Sequence, residues 1–189
     1  MTLLLCDEML GRLYEGQECS VARSLEVIGE RWTLLVLRDA FLGVRRFDDF
    51  QRSLGIARNV LTARLGRLVD EGVLERVAYQ ERPERFEYRL TEKGIDLWPI
   101  VVSLMQWGDR YTPPAGGPAV VLEHRGCGGR VDEHRICEKC GKPLSAGESR
   151  ALPGPGAAPE HPLLLRRERE AAAADAARQG DAAAQPSAA

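Results

Sequence analysis

The chain has 189 residues, a formal net charge of -2 and 44% hydrophobic residues, which allow one domain of ordinary size with appendages and exclude a second large domain. No run approaches the roughly 20 apolar residues of a membrane span, so we expect no signal peptide, no membrane partner and a cytoplasmic protein. In that compartment, five cysteines favour thiols or metal ligands over a disulfide framework.

The first segment, residues 1–18, is predicted to be an N-terminal arm that packs on a neighbouring element. Its apolar residues recur at helical spacing: Leu3, Cys6, Leu10 and Leu13. Gly11 and Gly16 interrupt that pattern. A helix this short is marginal in water, so its formation depends on packing.

Two short helical patterns follow one another between Phe47 and Gly72. Phe47, Phe50 and Leu54 recur at three and four residues and predict a first helix that Gly55 ends. The second pattern has one apolar face and one face of small, polar or basic residues. The apolar face holds Leu61, Leu65 and Leu68, and the opposite face holds Asn59, Thr62, Ala63 and Arg67. Two short helices joined by a tight turn that contains Gly are typical of a helix-turn-helix.

A β-hairpin is predicted directly after Gly72, which ends the second helix. Residues 73–78 alternate at the strand period, and residues 86–90 repeat that pattern. The polar residues 80–85 between them have the composition of a hairpin tip in solvent. The predicted fold is therefore mainly α with a small β-hairpin wing, a winged helix-turn-helix domain over residues 19–111.

This arrangement predicts DNA binding. A helix fits the major groove with its first turns near the base edges, and arginines on a protruding loop reach phosphates or the minor groove. Residues 44–67 contain six arginines and two aspartates, a local formal charge of +4 in a chain whose total is -2. The candidate base contacts are Asn59, Thr62 and Ala63, and the candidate phosphate or minor-groove contacts are Arg58, Arg67, Arg82 and Arg85.

Two alternatives to DNA binding stay open at this point. The arginines could form a solvated helix face, because runs of charge usually do. The domain could also be a winged-helix interaction module with the C-terminal segment as a docking surface. A protein-docking face carries large apolar residues, whereas the exposed face of the second predicted helix is small, polar or basic, which favours DNA.

A longer helical pattern, residues 92–111, is predicted to pack against a second subunit. Its stripe comprises Leu97, Val101, Leu104, Met105 and Gly108, with Thr91 as a candidate cap and Pro99 as a candidate kink. Trp98 and Trp107 lie off the stripe, so the helix has more apolar surface than one small domain covers. The alternative is a monomer whose N-terminal arm covers these tryptophans. The residues that could line a pocket for a small-molecule or electrophile effector are Trp32, Trp98, Met105 and Trp107.

A Pro/Gly linker, residues 112–119, leads to a ribbon segment, residues 120–150. The ribbon segment holds two pairs of metal-ligand residues at the same spacing, and a glycine follows each pair. Paired knuckles of this kind are typical of a zinc ribbon. The predicted ligands of one structural zinc ion are His124, Cys127, Cys137 and Cys140. A redox dithiol, packing cysteines and a ribbon that has lost its metal are the alternatives, and His134 could substitute for His124.

Residues 151–189 are predicted to be a disordered tail, because their Pro, Gly, Ala and Ser content cannot bury enough apolar surface. His161 in this tail is expected to be solvated. The sequence contains no Gly-rich phosphate loop, nucleophile elbow or HExxH pair, so we do not expect an enzyme.

Five motifs in order, between Cys19 and Asp109, carry a family resemblance. They are Cys-x-Val at residues 19–21, IGERWTLLVLRD at 28–39, RRFDDF at 45–50, VLTARL at 60–65 and EYRLTEKG at 87–94. This block, about half of the chain, resembles the HxlR-type branch of the MarR-like winged-helix transcriptional regulators. The resemblance implies a bacterial homodimer that binds an inverted repeat in double-stranded DNA, with repression as the default outcome. Ser20 and Arg58 stand where the family commonly has proline.

The resemblance also draws attention to Cys19. The family commonly has a cysteine here, and some members use it to sense oxidants or electrophiles. A helix N-terminus stabilises a thiolate, so Cys19 is the candidate redox residue. The alternative is a buried packing cysteine.

Overall fold

The computed structural model describes Tyr14, Gln17, residues 19–164 and Arg166. Nearly all of the predicted N-terminal arm, residues 1–18, lies outside the described residues. The helices are α1 (Ser20–Ile28), α2 (Thr33–Phe41), α3 (Phe47–Leu54), α4 (Arg58–Asp70), α5 (Glu92–Ile95) and α6 (Trp98–Tyr111). The strands are β1 (Leu74–Glu81), β2 (Glu84–Leu90), β3 (Val120–His124) and β4 (Ser149–Pro153). Within the described residues, no helix is both long and apolar enough to cross a membrane.

One hydrophobic core joins α2, α3, α4 and the first hairpin. The fully buried side chains at its centre are Val36, Leu37, Phe50, Leu61, Leu65, Leu68, Val73 and Leu74. Burial of a leucine or phenylalanine side chain contributes about 1.5 to 3 kcal/mol, so these residues hold α4 firmly on α2 and α3. The predicted apolar face of the second helix is confirmed.

The turn between α3 and α4 depends on the backbone of Gly55. This residue has a φ of 62° and a ψ of 25°, and its N–H donates to the carbonyl of Gln51, so α3 ends in a left-handed cap. Glycine adopts that conformation without steric cost. The predicted bounds of α3 and the break at Gly55 are confirmed, and the turn directs α4 across α3.

The antiparallel strands β1 and β2 form the wing, with Leu74 opposite Leu90 and Ala78 opposite Phe86. A backbone hydrogen bond from the Tyr88 N–H to the Arg45 carbonyl attaches the wing to the start of α3. The loop predicted at residues 80–85 is wrong in length, because Glu81 pairs with Glu84 and leaves two residues at the tip. Exposed strands can be polar on both faces, so composition alone does not show where the pairing of two strands ends.

Residues 92–111 form two helices and not the single kinked helix that was predicted. The Thr91 hydroxyl caps α5 by accepting from the Gly94 N–H at 3.1 Å, which confirms that cap. Pro99 lies in the first turn of α6, where a missing N–H costs nothing, so proline starts a helix here and does not kink one. Trp98 and Val102 are buried on α6, so the buried face differs from the predicted stripe.

The ribbon segment is anchored by β3, which pairs antiparallel with β4 from Val120 opposite Pro153 to His124 opposite Ser149. The predicted tail is therefore wrong for residues 151–164, since residues 151–153 complete β4 and Leu163 packs with Leu42 and Val120 in a second small core. Composition did not predict this structure, because the few apolar residues of this segment are buried against another part of the chain. The rest of the tail, apart from Arg166, lies outside the described residues.

Candidate nucleic-acid interface and metal centre

The solvent face of α4 carries the residues predicted to contact DNA. Arg58, Asn59, Thr62, Ala63 and Arg67 are all exposed, while leucines of the opposite face are buried. Gly66 extends this face, and a Cβ placed there would meet nothing within 4 Å. The face is therefore smooth, polar and positively charged, as a helix entering a groove requires.

Local contacts orient the arginines at the two ends of this face. At the N-terminal end, the Arg58 guanidinium lies 4.7 Å from the centroid of the Phe47 ring and 3.9 Å from the Asp48 carboxylate. Near the C-terminal end, Arg67 pairs with Glu71 at 2.9 Å. Exposed pairs of this kind contribute at most about 1 kcal/mol, so both side chains can exchange their partner for a phosphate.

The wing presents two further arginines. Arg82 lies at the tip, Arg85 lies in β2 beside it, and both are exposed, with no ion pair to any described residue. From the sequence, Arg46 is one of six arginines in a positively charged segment and part of the RRFDDF motif, without a predicted contact. The structure places it between α3 and the wing, 4.5 Å from the centroid of the Tyr79 ring and 3.6 Å from the Glu87 carboxylate. This contact was missed because its partners are distant in the sequence.

The ribbon segment brings His124, Cys127, Cys137 and Cys140 together, and we call these four residues the His/Cys cluster. Their ligand atoms all lie within 4.8 Å of one another. The His124 Nδ1 is 3.2 Å from the Cys127 Sγ and 3.3 Å from the Cys140 Sγ, and the Cys127 and Cys137 sulfurs are 3.4 Å apart. A zinc tetrahedron with Zn–S of about 2.3 Å and Zn–N of about 2.0 Å has edges of roughly 3.5 to 3.8 Å, so the donor set fits a four-coordinate metal.

Two equivalent turns build the His/Cys cluster. The Gly128 N–H donates to the His124 carbonyl at 2.9 Å, and the Gly141 N–H donates to the Cys137 carbonyl at 2.8 Å. Both glycines have a φ near 70°, at 69° and 70°, a conformation that L side chains rarely adopt. Each turn thereby directs two ligands to one point.

Gly129 has a different function, because it allows close approach. A Cβ on this residue would collide with the Cys137 Sγ and the Lys139 Cβ. This constraint could not be predicted from the sequence, since glycines are common in turns.

Thiolate formation in the His/Cys cluster is uneven. Burial raises the pKa of the Cys137 thiol, but backbone N–H groups of Cys140 and Lys139 donate to its sulfur, and the pKa falls to about 6. The backbone N–H of Gly129 lowers the pKa of the Cys127 thiol, whereas burial and the neighbouring sulfurs raise it, and the net direction is upward. The chain itself thus stabilises the thiolate of Cys137 but not that of Cys127.

Two other predicted residues stand apart from the His/Cys cluster. His134 is exposed and lies 3.8 Å from the Glu133 carboxylate, so it does not replace His124 in the arrangement described here. Cys19 is the N-cap of α1, is exposed, and accepts a hydrogen bond from the Ala22 N–H at 3.4 Å. Its exposure contradicts the packing alternative for this residue.

The residues predicted to line an effector pocket do not meet at one place. Trp98 and Met105 line a cavity of about 520 Å³ between α2, α6 and the β3–β4 sheet. Trp32 packs against the main core instead, and Trp107 is 56% exposed beside Tyr111. His161 also lines this cavity and is half-buried, so its predicted solvation is wrong.

Known proteins similar to this chain are regulators with the same kind of domain. The model of the HxlR-like helix-turn-helix family matches residues 27–115. Two uncharacterized HTH-type transcriptional regulators, Mb3122 of Mycobacterium bovis and Rv3095 of Mycobacterium tuberculosis, are each 51% identical over 147 residues, which cover 78% of this chain and 92% of the mycobacterial proteins. The crystal structure of PA1607, a candidate transcription factor, is 43% identical with a TM-score of 0.57, and the match covers 71% of this chain and 94% of PA1607.

The mycobacterial similarity is not confined to the helix-turn-helix. A span of 147 residues in a chain of 189 necessarily includes the His/Cys cluster, whereas the family match stops at residue 115. These matches agree with the winged helix-turn-helix architecture and with the polar face of α4. The chain belongs to the HxlR-like helix-turn-helix family of transcriptional regulators.

Proposed function

We propose that this regulator binds a specific inverted-repeat operator as a homodimer and represses transcription by blocking the promoter. The observation that carries the proposal is the exposed face of α4, where Asn59, Thr62 and Ala63 lie between Arg58 and Arg67. Small and polar side chains can approach base edges, and the flanking arginines can meet phosphates. The protein acts through binding, without a chemical step.

Exposed apolar residues support the homodimer. On α6, Leu104, Trp107 and Tyr111 are 50%, 56% and 60% exposed, and Val21 on α1 is 69% exposed. A soluble monomer rarely exposes this many large apolar side chains on neighbouring turns of one helix. A two-fold dimer would cover them and would place its two α4 helices at half-sites about 34 to 36 Å apart.

The His/Cys cluster supports a structural zinc ion. Four nitrogen and sulfur donors leave no open position, so zinc would stabilise the ribbon segment and supply no catalysis. The ribbon segment contacts α6 directly, since the Gln106 amide donates to the Asp132 carbonyl at 2.6 Å. Zinc would therefore also support the helix that we assign to the dimer.

The experiment for the operator is sequencing of DNA fragments retained by the purified full-length protein. We expect one inverted-repeat motif. Replacing Asn59 by Ala should change the preferred bases at one position of each half-site, because a lost base contact is worth about 1 to 3 kcal/mol. The exposed ribbon residue Arg130 gives the matched control, and Arg130→Ala should leave the motif unchanged. Fragments without a common motif would contradict sequence-specific binding.

The experiment for the dimer is the molar mass in solution by analytical ultracentrifugation. The wild type should sediment as a dimer, and Trp107→Ser should shift it toward monomer by removing exposed apolar area. A monomeric wild type at the concentration that binds DNA would contradict the homodimer.

A further inference from the structure

The cavity of about 520 Å³ lies between the winged domain and the β3–β4 sheet. Leu34, Leu35 and Phe41 of α2 and Trp98, Val101 and Met105 of α6 form its apolar walls. The opposite wall is formed by β3, β4 and the chain around His161. Its volume and its apolar lining are those of a small-molecule site, for which about 300 to 1,000 Å³ is usual.

Positive side chains dominate the polar part of the lining. Among the described residues, four arginines line the cavity, Arg38, Arg125, Arg150 and Arg166, against one carboxylate, Asp109. Arg38 pairs with the buried Asp39 at 2.8 Å, and Arg150 pairs with Glu123 at 3.0 Å, so their charges are largely compensated.

Arg125, which is exposed, differs from Arg38 and Arg150. Its Nε donates to the Ser149 carbonyl at 2.9 Å, and it makes no ion pair with any described residue. The remaining guanidinium donors suit a carboxylate or sulfonate, which accepts two parallel hydrogen bonds from such a group. Ser149, in the same wall, is 5% exposed, and its hydroxyl has no hydrogen-bond partner among the described residues. A buried hydroxyl without a partner indicates that a partner is missing.

Two titratable groups of the lining, Asp109 and His161, are partly buried. Burial raises the pKa of the Asp109 carboxyl. Burial, followed by the nearby Arg38, lowers the pKa of His161.

We propose that this cavity binds an amphipathic organic anion, whose carboxylate or sulfonate head pairs with Arg125 and whose apolar body packs between α2 and α6. Arg125 would repel a cation, and a neutral apolar molecule would make no use of its guanidinium donors. The ligand would contact the winged domain and the ribbon segment at once. This inference does not depend on DNA binding, because its test measures the ligand directly.

The test is isothermal titration of the full-length protein with three probes. Decanoate and 2-naphthoate carry the proposed head on an alkyl and an aromatic body, and decanol has the alkyl body without the charge. Both acids should bind with one site per chain. The acid that binds more tightly shows whether the cavity prefers an alkyl or an aromatic body. Decanol should bind at least about tenfold more weakly than decanoate, as expected for the loss of one charge-assisted hydrogen bond.

Two variants localise the binding. Arg125→Gln should weaken decanoate about tenfold and leave decanol unchanged, and Arg125→Lys should restore part of the affinity because the charge returns. Ala146→Phe, which places a ring into the cavity from a turn, should abolish both. Arg130→Gln is the control, since Arg130 is an exposed arginine of the ribbon segment that does not line the cavity. Absence of acid binding, equal affinity for decanol, or binding that survives Ala146→Phe would overturn the proposal.

Discussion

Replacing Cys137 by Ser removes the most buried ligand of the His/Cys cluster, a side chain that is 1% exposed. Structural zinc binds small domains with about 10 to 16 kcal/mol at neutral pH, so one ligand of four accounts for roughly 2.5 to 4 kcal/mol. The zinc affinity should therefore fall by about two to three orders of magnitude. The ribbon segment buries few apolar side chains besides Val120 and Leu144, and we expect that part of the chain to unfold once the metal is lost.

Hydrogen exchange followed by mass spectrometry measures this unfolding locally. The N–H groups of Val131, Cys137, Gly141 and Leu144 donate to backbone carbonyls within the ribbon segment, so they should exchange quickly in the variant or after chelation. Amides of α4 should stay protected, because the core beneath them contains no metal ligand.

The control variant is Cys19→Ser, which removes an exposed cysteine outside the His/Cys cluster and should leave both zinc content and protection unchanged. Wild-type protein should contain one zinc equivalent. If metal-free protein protects the ribbon amides as well as the zinc-loaded protein does, the reasoning about the metal is refuted.

Three further predictions follow from individual residues. Gly129→Ala should lose zinc without removing any ligand, because its Cβ would collide with the Cys137 sulfur; retained zinc by elemental analysis would refute that steric argument. Leu61→Ala should lower the free energy of unfolding in urea by about 2 to 5 kcal/mol, against about 0.5 kcal/mol for the exposed Ile95→Ala, and equal effects would mean that α4 does not pack as described. Cys19 should be alkylated near neutral pH faster than a free model thiol, since it is exposed at a helix N-terminus, and a rate no faster removes it as a sensor.

Periodicity predicted the winged helix-turn-helix because its elements are amphipathic. The leucines of α4 are buried, and Gly55 adopts the left-handed conformation that its position implied. The wing strands were predicted too short, since exposed strands lack a strict alternation. The last residues of β4 were assigned to the tail because the partner strand β3 lies about thirty residues earlier. Local composition carries no information on such pairing.

The His/Cys cluster and the cavity differ in how far the sequence predicts them. Ligand spacing predicted the His/Cys cluster, because each knuckle is a local turn whose geometry its own sequence encodes. The cavity around Arg125 could not be predicted, since it forms between elements that are distant in the chain and depends on how the ribbon segment packs on α6. Of the four predicted pocket residues, Trp98 and Met105 line the cavity. Trp32 packs against the main core and Trp107 is exposed.

The salt dependence of operator binding tests the central claim most directly. The logarithm of the affinity should fall linearly with the logarithm of the salt concentration, and Arg82→Ala or Arg85→Ala should each reduce that slope by about one unit without changing the preferred sequence. The same oligonucleotide with a scrambled motif should bind at least about a thousandfold more weakly at physiological salt. Equal affinity for both oligonucleotides, or a slope that neither wing variant changes, would contradict the proposal that α4 and the wing bind DNA.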